Sequence, residues 1–86
     1  KSYRILINDE EVHFGPTEFK LLKFFIMNEG RVYSRSQLLD RVWGRSVFVE
    51  ERTVDVHIRR LRSILEKYDL NDAIKTVRGA GYRFDL

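Results

Sequence analysis

One stripe of apolar residues stands out in the second half of the chain, where apolar positions recur at spacings of three and four. Its members are Val54, Ile58, Leu61, Leu65 and Tyr68. Since an α-helix turns by about 100° per residue, these positions share one face. The pattern predicts an amphipathic helix that begins at Thr53 as N-cap, continues to about Lys67 and packs this stripe against a core.

The N-terminal residues alternate between apolar and polar positions, which is typical of strands. Residues 3–7 and 11–14 follow this pattern, and the Asn-Asp-Glu sequence at residues 8–10 is typical of a turn. The chain is therefore predicted to begin with an antiparallel hairpin.

A first helix is predicted from Pro16 or Thr17 to about Asn28, because proline favours the first position of a helix. Its expected core face consists of Phe19, Leu22, Phe25 and Ile26. Phe24 and Met27 lie off that face, so we expect the N-terminal strands to cover the helix on a second side.

A second helix is predicted after Ser34, because Gln37 lies three residues further on and completes a capping box. Gly44 is expected to end this helix. Its expected buried residues are Leu38, Leu39, Val42 and Trp43. Residues 45–51 then form a connector with an apolar centre.

The chain closes on two β-prone runs, residues 74–78 and 82–84, on either side of Gly-Ala-Gly at 79–81. Such a pair predicts a second hairpin whose tip has no large side chains. The order hairpin, three helices, hairpin predicts a single small α+β domain for all 86 residues.

Composition narrows the classes of function. The absence of cysteine excludes disulfides and thiolate metal sites, and no cluster of metal ligands is visible. His13 and His57 stand in unrelated settings, so neither an enzyme nor a cofactor is expected. No apolar run is long enough to span a membrane and no signal peptide is visible, which favours a cytoplasmic setting. The chain begins without methionine inside an apolar run, so we expect it to be a fragment.

The net charge of +3 is unevenly distributed. Residues 1–51 carry eight basic and eight acidic residues, whereas residues 52–86 carry eight basic and five acidic ones. Much of that excess lies on the face of the third helix opposite the apolar stripe, which comprises Arg52, Val56, Arg59, Arg60, Ser63 and Lys67. A cationic face with an apolar residue at its centre suits the major groove of DNA, although many charged faces are only solvated.

The arrangement of elements supports the DNA interpretation. The second and third helices form a helix-turn-helix, in which the second member enters the groove, although the connector here is longer than in the simple motif. Arg78 lies beside the glycine-rich tip, where it is positioned to enter a narrow, negative minor groove. As a single residue, Arg78 is equally well interpreted as a solvated turn arginine.

Four motifs cover nearly the whole chain in this order: PTEFKLLKFF, SRSQLLDRVWG, RTVDVHIRRLR and TVRGAGYRF. Together they resemble the DNA-binding effector domains of OmpR/PhoB-type bacterial response regulators, and most closely the phosphate-regulon activators. The chain departs from the family in two respects. Only the last two strands of the usual four-stranded N-terminal sheet are expected, and no receiver domain of these two-component regulators is expected within these 86 residues.

The resemblance implies a winged helix-turn-helix, with the third helix as recognition helix and the final hairpin as wing. It implies double-stranded DNA as partner, bound at direct repeats by a head-to-tail tandem dimer. It also implies that the connector touches RNA polymerase, with candidate contacts at Phe48, Val49, Glu50 and Glu51. Packing under the connector explains Phe48 and Val49 equally well.

Roles follow for individual residues. The candidate base contacts are Arg60, Val56, Thr53 and Asp55 in the major groove and Arg78 in the minor groove. The candidate phosphate contacts are Arg52, His57, Arg59, Arg62, Trp43, Thr76 and Tyr82. An ion pair with Arg59 is a slightly favoured alternative for Asp55. A plain core position is an equal alternative for Trp43.

Other classes of protein remain open at this point. The chain is also compatible with the effector domain of another OmpR-type regulator, activating or repressing, or with a winged helix that binds proteins. An RNA-binding module would place aromatic residues on an exposed sheet, and only Tyr82 and Phe84 approach that pattern.

Overall fold

A computed structural model of the protein describes residues 3–44 and 49–86. Strands β1 (Arg4–Ile7) and β2 (Glu10–His13) pair antiparallel, which confirms the N-terminal hairpin. Its turn has positive φ at Asn8 and Asp9, as a two-residue turn that matches the twist of a hairpin requires.

Helix α1 (Pro16–Met27) begins at the predicted proline, and two of its four predicted core residues, Leu22 and Phe25, are buried. The buried residues are Glu18, Leu21, Leu22 and Phe25, whereas Ile26 is 43% exposed and Phe19 is half-buried. Apolar residues surround this helix on several sides, so periodicity alone does not select the buried face. Phe24 packs edge-on against Tyr33 at 4.8 Å between ring centroids, and Met27 is exposed. The N-terminal segment does cover the helix at Phe19, against which Tyr3 packs edge-on at 5.5 Å between ring centroids.

The capping box before the second helix is confirmed, because Ser34 Oγ accepts from the Gln37 N–H and the Gln37 side chain accepts from the Ser34 N–H. Helix α2 (Arg35–Leu38) continues as a π-helical turn (Leu39–Trp43), which ends at Gly44 with φ 96°. Only Leu38 is fully buried. The wider turn leaves the other predicted members, Leu39, Val42 and Trp43, half-buried against the core.

Helix α3 (Arg52–Glu66) carries the predicted apolar stripe into the core. Val54, Ile58, Leu61 and Leu65 are each at most 2% exposed, and Tyr68 beyond the helix is half-buried. The predicted N-cap is wrong, because Thr53 already lies inside the helix and its N–H donates to the Glu50 carbonyl oxygen at 2.9 Å. The cap position is Glu51, which forms no side-chain cap.

The final hairpin consists of β4 (Ile74–Val77), preceded by a 3₁₀ turn (Asn71–Ala73), and β5 (Gly81–Phe84). It is confirmed, but it is part of a three-stranded sheet in the order β3-β5-β4. The added strand β3 (Val32–Tyr33) has only two residues, too few to show alternation in the sequence. The sheet therefore fixes the hairpin to the segment between α1 and α2, beside α3.

The core lies between α1, α3 and this sheet, with Phe25 stacked on Phe84 at 6.2 Å between ring centroids. None of the helices in the described parts of the chain is both long and apolar enough to cross a membrane.

Candidate nucleic-acid interface

The face of α3 opposite the core is open to solvent and cationic. Arg59 and Arg60 are exposed, and Val56 between them and Arg52 is 39% exposed. Within residues 3–44 and 49–86, neither Arg59 nor Arg60 forms a hydrogen bond or ion pair. Two guanidinium groups around an exposed valine are therefore available to an external anion or base.

One flank of α3 is fixed by a buried contact that the sequence did not reveal. His57 Nδ1 lies 2.5 Å from Glu18 Oε2, and the histidine ring packs 5.4 Å from the Trp43 ring, between centroids. Glu18 is only 7% exposed. Burial withdraws the carboxyl group of Glu18 from water, and the hydrogen bond to His57 compensates part of that cost. Nothing in the local sequence distinguishes Glu18 from any acidic residue in the first turn of a helix.

The opposite flank is connected to the C-terminal hairpin at two points. Asp55 Oδ1 accepts a hydrogen bond from the Tyr82 hydroxyl at 2.6 Å, and Asp55 Oδ2 accepts one from Arg35 Nη1 at 3.0 Å. Two helical turns further on, Arg62 Nη2 donates to the Ile74 carbonyl oxygen at 2.7 Å and to Thr76 Oγ1 at 2.9 Å. The partners of Asp55 are thus Tyr82 and Arg35 rather than Arg59.

The environment of Tyr82 shifts its ionisation. Burial, and then the hydrogen bond to the Asp55 carboxylate and its charge, raise the pKa of Tyr82 from 10.0 to about 12, while Arg62 and Arg35 oppose the shift. Burial, the hydrogen bond to Asp55 and the charge of Asp55 all favour the protonated phenol, which is the form that donates to Asp55.

Tyr82 should therefore make the stability of the domain sensitive to alkali. Because the pKa of Tyr82 is higher in the folded chain than in the unfolded chain, its contribution is fully present below pH 10 and is lost between about pH 10 and 12. We expect the free energy of unfolding to fall more steeply over this interval in the parent than in Tyr82→Phe, measured by urea denaturation at each pH. Parallel curves for the two proteins would contradict the contact.

The tip of the C-terminal hairpin is exposed at Arg78, Gly79 and Ala80. The Ala80 N–H donates to the Val77 carbonyl oxygen at 2.9 Å, and Gly79 has φ 77°. In the described part of the chain, the Arg78 guanidinium has no hydrogen bond or ion pair. An open cleft separates this tip from the start of α2.

The remaining predicted site residues lie around α3 and its connector. Arg52 is exposed and pairs with Glu50 at 2.6 Å, while Glu51 lies 3.9 Å from Arg35. Val49 is half-buried, and Glu50 and Glu51 are exposed. Phe48 lies outside the described residues.

Residues 9–84 match the family described as "Transcriptional regulatory protein, C terminal". With the winged helix and the cationic face of α3 established, the chain belongs to the C-terminal DNA-binding domains of OmpR/PhoB-type transcriptional regulators, a family without enzymatic activity. The sequence-based assignments of family and fold are confirmed.

Among similar proteins, the phosphate regulon transcriptional regulatory protein PhoB of Escherichia coli (strain K12) is 58% identical over 83 residues, which are 96% of this chain and 36% of PhoB. The chain thus spans about a third of that relative. The DNA-binding domain of response regulator AdeR, solved in complex with an intercistronic region, aligns with a TM-score of 0.86 at 31% identity over 96% of this chain and 85% of that one. The Klebsiella pneumoniae RstA DNA-binding domain, solved with an RstA box, aligns with a TM-score of 0.79 at 32% identity over 95% of this chain and 82% of that one.

Proposed function

We propose that this chain is the output domain of a response regulator that activates a phosphate-type regulon by binding specific duplex sites. One observation carries the proposal of sequence-specific binding: the exposed face of α3 presents Arg59 and Arg60, both without partners among the described residues, around Val56. Similarity to PhoB over 96% of the chain supports the choice of regulon.

In the proposed complex α3 lies in the major groove. Arg60 donates a fork of two hydrogen bonds to guanine O6 and N7, and Val56 contacts a thymine methyl group. Thr53, half-buried in the first turn of α3, is the third candidate for a base edge. Arg78 enters the adjacent minor groove, where A·T-rich tracts are narrow and more negative.

Phosphates on either side of the groove are bound by the flanks of α3. Arg59 and Arg52 are the exposed cations, and His57 and Trp43 lie together on one flank. On the other flank, Arg62 and Thr76 already bind each other, which supports a shared position at the edge of the groove. A phosphate oxygen only accepts hydrogen bonds, so Tyr82 reaches one only by releasing Asp55.

Arg59→Ala should weaken binding to all duplexes alike. Each phosphate contact that is lost reduces the slope of log K against log salt by roughly one unit. Because Arg59 is exposed and has no partner among the described residues, stability should stay unchanged. Lys23→Ala, an exposed cation of α1, is the control and should keep the parent slope. An unchanged slope in Arg59→Ala would assign Arg59 to the solvated surface.

The full regulator is proposed to act in the cytoplasm as a head-to-tail tandem dimer on direct repeats and to contact RNA polymerase. The candidate polymerase contacts are Phe48, Val49, Glu50 and Glu51. Exposure of the carboxylates of Glu50 and Glu51 next to α3 supports their part in this surface.

Selection of bound sequences from a pool of random duplexes tests the proposal. We expect a repeated site that binds about 10³-fold or more tightly than random duplex, with affinity that falls steeply with salt. A winged helix that binds only proteins would enrich no sequence and show no such slope.

A further inference from the structure

We propose that Asp55 is a positioning residue that fixes the C-terminal hairpin against α3, so that recognition by Arg78 at the hairpin tip depends on a contact made at the helix. This inference rests on the proposed function, and it gives Asp55 a role other than reading a base. It is carried by the side-chain bridge Arg35–Asp55–Tyr82, which joins α2, α3 and β5.

Both carboxylate oxygens of Asp55 are engaged within the protein. Oδ1 accepts from Tyr82 at 2.6 Å and Oδ2 from Arg35 at 3.0 Å, and the Asp55 side chain is 34% exposed. To accept from a cytosine amino group, Asp55 would have to share or give up one of these bonds. The Arg35 guanidinium also neutralises a carboxylate that would otherwise repel nearby phosphates.

The bridge contacts the hairpin close to its tip. Tyr82 pairs with Thr76 in the sheet, and the next pair, Val77 with Gly81, is the last before the turn that carries Arg78. The second attachment, from Arg62, binds the Ile74 carbonyl oxygen nearer the base of the hairpin and the Thr76 hydroxyl at the same level as Tyr82, both on β4. Asp55 therefore holds β5, the strand that follows the tip, whereas Arg62 holds β4, the strand that leads into Arg78, so the tip is attached to α3 through both of its strands.

Other contacts hold the hairpin in the sheet independently of Asp55. Strand β5 pairs with β3 at Tyr33–Tyr82 and Val32–Arg83, and Ile74 and Phe84 are buried in the core. Loss of the bridge should consequently loosen the tip without unfolding the domain. The result would be a wider range of positions for Arg78 and a weaker contribution from it to binding.

A double-mutant cycle between Asp55→Ala and Arg78→Ala tests the coupling. Affinities are measured for two duplexes with the same selected major-groove site and either A·T-rich or G·C-rich flanks. In the parent background, Asp55→Ala should weaken binding to the A·T-flanked duplex roughly threefold to tenfold, a size common for residues coupled in one network. In the Arg78→Ala background most of this loss should disappear, and additive effects of the two substitutions would overturn the proposal.

Matched variants distinguish a positioning role of Asp55 from base reading by Asp55. Tyr82→Phe removes the hairpin end of the bridge and should reproduce the loss of flank preference. Tyr68→Phe removes a tyrosine–carboxylate bond elsewhere, to Glu10 at 3.2 Å, and should bind like the parent. If Asp55 reads a base, Asp55→Ala will instead change the selected base at one position and leave flank preference intact, which overturns the inference.

Two further outcomes are distinguishable. If Asp55→Ala melts at a temperature near that of the binding assay and weakens binding to both duplexes equally, Asp55 serves stability alone and the inference is wrong. If the parent domain prefers no duplex sequence, the proposed function itself fails. The melting curve and the parent selection therefore report separately on the two claims.

Discussion

Leu61→Ala is expected to lower the free energy of unfolding by about 2–5 kcal/mol, the usual cost of truncating a buried leucine. Leu61 is 0% exposed, in the middle of the α3 stripe that faces the core. Small domains have a total stability of only about 5–15 kcal/mol, so this loss is a large part of the whole. Urea denaturation followed by circular dichroism measures it, and loss of DNA binding should accompany the unfolding.

Ser63→Ala is the matched control, because Ser63 lies two residues further on the same helix with an exposed side chain. Alanine favours helices at least as well as serine, so this variant should unfold like the parent. A Leu61→Ala protein as stable as Ser63→Ala would mean that α3 is oriented wrongly. The assignment of its cationic face to DNA would then lose its basis.

Gly81→Ala should be the most damaging change in the C-terminal sheet. A Cβ atom at Gly81 would overlap the backbone carbonyl of Tyr33 and lie 2.8 Å from the Ser34 Cα. Gly81 also has φ 142°, which disfavours any side chain. Overpacking of this kind costs about 1–3 kcal/mol, and the backbone strain adds to it. Since strand β5 has no room to move away from β3 without losing their pairing, both stability and hairpin position should suffer.

The Gly79→Ala variant separates the cost of backbone strain from the cost of steric overlap. Gly79 has φ 77° but nothing within 4 Å of its potential Cβ, so this variant should show conformational strain alone, about 1 kcal/mol. The stability of the two variants is compared by thermal unfolding, and the β3–β5 pairing by amide exchange at the Tyr33–Tyr82 pair. Equal stability of Gly79→Ala and Gly81→Ala would contradict the close approach of β5 to β3.

Local patterns predicted the parts of the fold whose signal lies in a short segment. The α3 stripe could be predicted because the polar and apolar faces of this helix are cleanly separated, and the capping box at Ser34 needs only residues three apart in sequence. In helix α1 the pattern predicted Phe19 and Ile26 in the core and missed Leu21, because apolar residues occur on several sides of this helix. The exposed Ile26 shows that tertiary packing, not periodicity, selects which of them are buried.

The parts of the site that escaped prediction depend on contacts distant in sequence. Glu18 and His57 are 39 positions apart, and Asp55 and Tyr82 are 27 apart. No spacing rule connects such pairs, since the chain brings them together only when α1, α3 and the sheet have packed. The sequence therefore predicted the exposed cations of α3 and Arg78, but not the side chains that fix α3 and the hairpin in place.

The most direct test of sequence-specific DNA binding through α3 compares Arg60→Ala with the parent on the selected duplex and on random duplex. Arg60 is exposed on the cationic face, without a partner among the described residues, and is the residue proposed to read guanine. We predict that Arg60→Ala binds the selected duplex about 1–3 kcal/mol more weakly and accepts other bases at one or two positions, with affinity for random duplex reduced much less. Equal losses on the two duplexes would contradict base reading by α3.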